Sequence, residues 1–160
     1  MKPFAIILII LVLAAVVGIG WLYFNANLTV VFDSCIATDG VSQAEYFDQL
    51  KKQVSGGTFI GTLYGGKDLL TADQYQFLTY TVRLDNRSFL KAETIELRIT
   101  PMDGDVLQLG DEACHDLASG NQAEISSTVL TARTMHSVRE GTVSYYLWGI
   151  PFTEKITLGK

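Results

Sequence analysis

The alternation of apolar and polar positions is cleanest between Tyr75 and Leu109, and the chain is organised around this stretch. Leu78, Tyr80, Val82 and Leu84 interleave with Thr79, Thr81 and Arg83, the period of two that marks a strand with one buried face. Ile95, Leu97 and Ile99 repeat the pattern against Glu96, Arg98 and Thr100. A slip of one residue in either run would drive charge into the core, so both registers are strongly specified. The polar connection Asp85 to Lys91 and the turn Met102-Asp103-Gly104-Asp105 supply the Asp, Asn and Gly that chain reversals require. These features predict antiparallel β structure.

Weaker patterns on either side extend it. Leu28 to Phe32 predicts a first strand. Ser42-Gln43-Ala44-Glu45 has the spacing of a capping box and predicts a helix over 42–54, with Phe47, Leu50 and Val54 on one face and Gly56-Gly57 ending it. Thr58 to Tyr64 reads as a strand in which Gly61 marks a bulge or a close backbone approach. After an acidic loop, Gly110 to Gln122, come a strand at Ala123 to Arg133 and a polar turn at Arg139-Glu140-Gly141. The final strands are Thr142 to Trp148 and Phe152 to Leu158, divided by Gly149-Ile150-Pro151. Seven or eight strands with frequent turns predict a mainly β protein, a β-sandwich with one short helix.

The N-terminus follows a different rule. Pro3 to Phe24 contains no charged residue over 22 positions, enough to cross a hydrocarbon core of about 30 Å as a helix. Trp21 and Tyr23 stand at its C-terminal end, where amphipathic rings favour the headgroup level, and Lys2 marks the opposite, cytoplasmic side. The expected organisation is a signal anchor over 1–24 and an extracytoplasmic domain over 25–160, in a single-pass protein of the plasma membrane. The rival reading is a cleaved signal peptide. Its apolar region would be too long, and Phe24-Asn25-Ala26 lacks the small residue needed before a cleavage point. Cys35 lies too far beyond the apolar run for lipid attachment, and no glutamate early in that run matches a type IV pilin signal.

Charge narrows the partners. The 160-residue chain carries a formal net charge of -5, and 11 basic against 17 acidic residues remain once Met1 to Phe24 is set aside. No basic stripe is present to neutralise phosphates, which argues against nucleic acid. Aromatic and β-branched residues are too plentiful for a disordered acidic tail.

Few residues suggest chemistry. The two cysteines, Cys35 and Cys114, form an even pair in an expected oxidising compartment, so a disulfide is the expectation. In the chain-entropy model it would stabilise by about 4–5 kcal/mol. Without a C-x-x-C spacing a redox-active pair is not expected. Asp111, Glu112, Cys114, His115 and Asp116, with Asp103 and Asp105 nearby, gather cation-ligand types, yet their spacing is not that of a calcium loop and a solvated acidic loop is expected, with no metal or cofactor. His115 and His136 lack any motif that would frame a hydrolase. Tyr145, Tyr146 and Trp148 form an aromatic cluster in a strand for which core packing on both faces is the expectation; if only one face is core, the other is a candidate binding surface. Asn27-Leu28-Thr29 and Asn86-Arg87-Ser88 match the N-glycosylation pattern.

Phe77 to Asn86, Asp103 to Gly110 and Tyr145 to Gly149 resemble the strand and turn segments of the late-embryogenesis-abundant type 2, or water-stress, domains, and more loosely those of small anchored bacterial domains of the DUF4352 kind. The family's Asn-Pro-Asn is Asn86-Arg87-Ser88 here, and the helix at 42–54 is an addition. The resemblance implies an immunoglobulin-like sandwich behind one membrane span and brings no catalytic residues with it. Three functions stay open: a non-enzymatic module binding an envelope protein or polymer, a stress-protective domain without a defined ligand, and a metal-dependent hydrolase built on the acidic loop. The first is the leading expectation.

Overall fold

A computed structural model describes residues 2–25, 28–65, 68–110 and 115–159. An apolar helix, α1 (Lys2–Asn25), leads into β1 (Leu28–Asp39), a 3-10 turn and α2 (Ala44–Gly56). The strands that follow are β2 (Gly61–Leu63), β3 (Tyr75–Asn86), β4 (Ala92–Ile99), β5 (Asp105–Leu109), β6 (His115–Leu117), β7 (Gln122–Ala132), β8 (Arg139–Leu147) and β9 (Ile150–Leu158). All pairings among them are antiparallel. They make a five-stranded sheet in the order β1-β3-β7-β5-β2 and a four-stranded sheet in the order β6-β4-β8-β9. The architecture is the immunoglobulin-like sandwich with one short helix that the sequence predicts.

The two anchoring strands face each other across the core. Leu78, Tyr80, Val82 and Leu84 of β3 pack against Ile95, Leu97 and Ile99 of β4 and against Val143, Tyr145 and Leu147 of β8. At its start β3 is buried on both faces. Tyr75 and Phe77 point outward and, with Leu107 and Leu130, receive Phe47, Leu50 and Val54 of α2. Burying each of these three apolar side chains stabilises by about 1.5–3 kcal/mol, so the helix is a lid over one end of the five-stranded sheet. It ends as expected, with Gly57 left-handed at φ 70° and its N–H turned back to Gln53 and Val54.

Five local expectations are corrected. The helix begins at Ala44 after a 3-10 turn that contains Ser42, and no side chain caps it. Strand β1 runs to Asp39, because one extra residue at Asp33 forms a bulge between the Phe32 and Ser34 pairings and restores the inward phase at Cys35. The strand expected at 58–64 shrinks to Gly61–Leu63, where Gly61, at φ 146°, is so close to the Gln108 carbonyl that no Cβ fits. His115–Leu117 pairs with β4 inside the expected acidic loop. Arg139-Glu140-Gly141 is the start of β8, with Arg139 buried, and not a polar turn.

Past the β6 pairing at Ile95, a side chain of the five-stranded sheet bonds to the backbone of β4. The Gln108 amide accepts from the Ile99 N–H at 3.2 Å and donates to the Leu97 carbonyl at 3.1 Å. It also donates to Ser127 and accepts from Tyr64. A buried amide thereby satisfies two backbone groups of β4.

Candidate functional site

Two surfaces stand out, one at each end of the sandwich. The first is where α1 meets the domain. Trp21 stacks on Phe89 of the β3–β4 loop with ring centroids 6.2 Å apart, and Tyr23 packs on Phe152 at 5.4 Å. Phe152 in turn stacks on Tyr145 at 5.6 Å, so an aromatic column runs from the helix end into the core. Beside it lies an apolar cleft of about 230 Å³ lined by Ile19, Tyr23, Leu90, Leu147, Trp148, Ile150 and Phe152.

The tip of the β8–β9 hairpin forms one wall. Leu147 pairs with Ile150, leaving Trp148 and Gly149 as a two-residue turn with φ of 51° and 73°. Positive φ at both positions is the type I′ turn, whose twist matches the flanking strands and which normally takes Asn, Asp or Gly. A tryptophan there stores roughly 1–3 kcal/mol of backbone strain, and its side chain is 74 % exposed. Of the three aromatic residues singled out in the sequence, Tyr145 is therefore core, 2 % exposed, because the inward phase of β8 falls on odd-numbered positions; Tyr146 and Trp148 are at the surface. Phe89, also exposed, escaped sequence analysis, though it is an apolar residue inside the polar segment Asp85 to Lys91.

The second surface is the outer edge of β1. This strand ends the five-stranded sheet and, among the described strands, pairs only with β3. Beyond the bulge its residues Ser34 to Asp39 continue in regular register, with Ile36 60 % exposed, and Val41 and Tyr46 just after the strand are exposed too. Long regular edges carrying apolar side chains are normally blunted or covered, since they template pairing with another chain.

Several of the remaining candidates are accounted for by structure. Asp105 is no cation ligand: one carboxylate oxygen accepts from Arg139 Nη2 at 2.8 Å, the other from Arg139 Nε at 3.0 Å and from the Met102 N–H at 2.8 Å. His136 offers its carbonyl to the same guanidinium. Asp111, Glu112 and Cys114 lie outside the described residues. Asp116 meets Lys91 at 2.6 Å, which with the Thr94 N–H holds its carboxyl below the usual range. Asn86 is wholly buried with its amide nitrogen committed to two carbonyls, so in the folded protein it is no glycan acceptor. Asn27 is outside the described residues.

Cys35 is half-buried beside Tyr80, and among the described residues no cysteine stands at disulfide distance from it. Its expected partner, Cys114, is not one of them. Burial pushes the Cys35 thiol up, against a smaller opposing effect of Arg139. Less of it is therefore thiolate near neutrality, and the thiolate is the nucleophile. Iodoacetamide at about pH 8 should modify Cys35 far more slowly in the native chain than in urea without reductant. Mass spectrometry decides, and a cysteine that stays unmodified in urea until reductant is added would restore the disulfide.

No family model matches the chain, and no curated relative does. Among solved structures, the crystal structure of the yeast GGA1 GAE domain is similar at 14 % identity and a TM-score of 0.40, covering 56 % of this chain and 93 % of that one. The class of protein is thus defined by its own two sheets: an immunoglobulin-like sandwich joined directly to a helix whose Pro3–Trp21 stretch, of mean hydropathy 2.9 and with nothing buried, is long and apolar enough to cross a membrane.

Proposed function

We propose that the protein is a single-pass, membrane-anchored and non-enzymatic binding or assembly module, with α1 in the plasma membrane, Lys2 on the cytoplasmic side and the sandwich outside. The observation that carries the binding reading is the open edge of β1 from Ser34 to Asp39, with Ile36 exposed on it. Such an edge suits an extended segment of another envelope protein, which would add a strand: main-chain hydrogen bonds supply affinity, and alternate side chains supply specificity. The bulge at Asp33 twists the lower half of the edge away and confines pairing to the upper half.

Crosslinking in intact membranes, against a control in which the anchor carries an unrelated domain, should capture one protein through the native sandwich. Ile36→Lys places a charge on the edge at an exposed site, where substitutions change stability by only about 0.5 kcal/mol. It is expected to abolish that capture with an unchanged melting temperature. Undiminished capture by the Ile36→Lys chain would refute the edge. The water-stress reading implied by the family resemblance predicts instead that nothing is captured and that drying survival improves.

A further inference from the structure

We infer that the aromatic rim at the α1 end of the sandwich, Phe89, Trp148 and Ile150, is seated in the interfacial layer of the bilayer that α1 crosses, so that the domain is clamped to the membrane surface at two further points besides its anchor. This rests on the proposed reading of α1 as the anchor.

The depth follows from the helix. Residues rise about 1.5 Å each, so Ile19 lies about 3 Å on the membrane side of Trp21 and within the apolar stretch Pro3–Trp21. Ile19 and Trp148 line one cleft. The hairpin tip therefore stands level with the last turn of the span, where Trp is favoured because its ring bridges hydrocarbon and headgroups. On the other side, the Trp21–Phe89 stack fixes the β3–β4 loop at the same height. Only Ala26 and Asn27 separate α1 from β1, so the chain between them is too short to lift the domain away.

The chemistry of the rim agrees. The cleft walls are apolar side chains, of which Trp148 and Ile150 are exposed, and Phe89 on the β3–β4 loop is exposed as well. Arg87 is paired with Asp85, and Lys91 with Asp116 and Glu93, so these charges do not enter lipid unpaired. The strained turn gains a reason as well, since a strained residue persists at sites where its placement serves a function. Water offers no return for a tryptophan held there, and an interface does.

The protein has two tryptophans, which makes the test direct. Full-length Trp21→Phe and Trp148→Phe chains are reconstituted into phosphatidylcholine vesicles, with and without lipid brominated near the top of the acyl chains. Trp148 emission, read in the Trp21→Phe chain, is expected to be blue-shifted, to lose about half its intensity to brominated lipid and to resist aqueous iodide. Quenching of Trp21 but not of Trp148, with Trp148 open to iodide, overturns the clamp and leaves the anchor standing. Trp148 that is blue-shifted yet unquenched by brominated lipid means that protein covers it, and equally overturns the inference. If neither tryptophan is quenched by lipid, the anchor reading fails and the clamp with it.

Discussion

Replacing Arg139 by Met is expected to destabilise the protein by about 3–5 kcal/mol, the usual consequence of stranding one member of a buried ion pair. Both side chains of the Arg139–Asp105 pair are 0 % exposed. They bridge β8 of one sheet and β5 of the other, in bidentate geometry, while Arg139 Nη1 also donates to the carbonyls of His136 at 2.7 Å and Val138 at 2.9 Å. Among the described residues, the substitution leaves the buried Asp105 carboxylate with only the Met102 N–H, and it removes the donor of two carbonyls at the foot of β8. Domains of this size hold about 5–15 kcal/mol in all, so a large share of stability is lost. Urea unfolding of the detergent-solubilised chain, followed by circular dichroism, should show a lower midpoint at unchanged slope. Adding Asp105→Leu should recover much of the loss, because an apolar replacement of both partners is often neutral. A single variant within about 1 kcal/mol of wild type would show that water reaches the pair.

That pair also marks where sequence reasoning stopped. Arg139-Glu140-Gly141 has the composition of a turn, and Met102 to Asp105 has the composition of another. Nothing local says that the arginine of one will neutralise the aspartate of the other across two sheets. The long strands β3 and β4 were legible because one face of each is core and the other is polar, and α2 because its three buried residues recur at helical spacing. The continuation of β1 was not, since the bulge at Asp33 shifts the inward phase from even to odd positions and breaks a simple alternation. The aromatic rim was half legible. Trp21 and Tyr23 at the end of the apolar run follow from local pattern. The junction of Phe89, Ile19 and Phe152 is made by elements far apart in the chain, and Tyr145 could be assigned to the core only once the phase of β8 was known.

Asn86→Ala should cost about 2–4 kcal/mol, with a local signature that separates it from an ordinary core deletion. Asn86 Nδ2 donates to the carbonyls of Leu90 at 2.8 Å and Leu117 at 2.9 Å, and Oδ1 accepts from the Ser88 N–H at 3.1 Å and the Ser88 hydroxyl at 2.8 Å. One side chain thus ties the β3–β4 loop to β6 and serves four partners. Ser88 can still reach the Leu90 carbonyl, but the Leu117 carbonyl and the Ser88 N–H lose their side-chain partner, and an unmet buried polar group costs about 1–3 kcal/mol. Asn86→Asp keeps the shape yet removes the donor and sets a carboxylate against two carbonyls, so it should be at least as harmful. The loop released in this way carries Phe89, the residue stacked on Trp21. Hydrogen exchange should therefore rise first in residues 87–91 and 117–121, ahead of β3 and β4, whose exchange follows the global stability. Uniform acceleration across both sheets would mean that Asn86 supports the core as a whole and not the loop that joins it to α1.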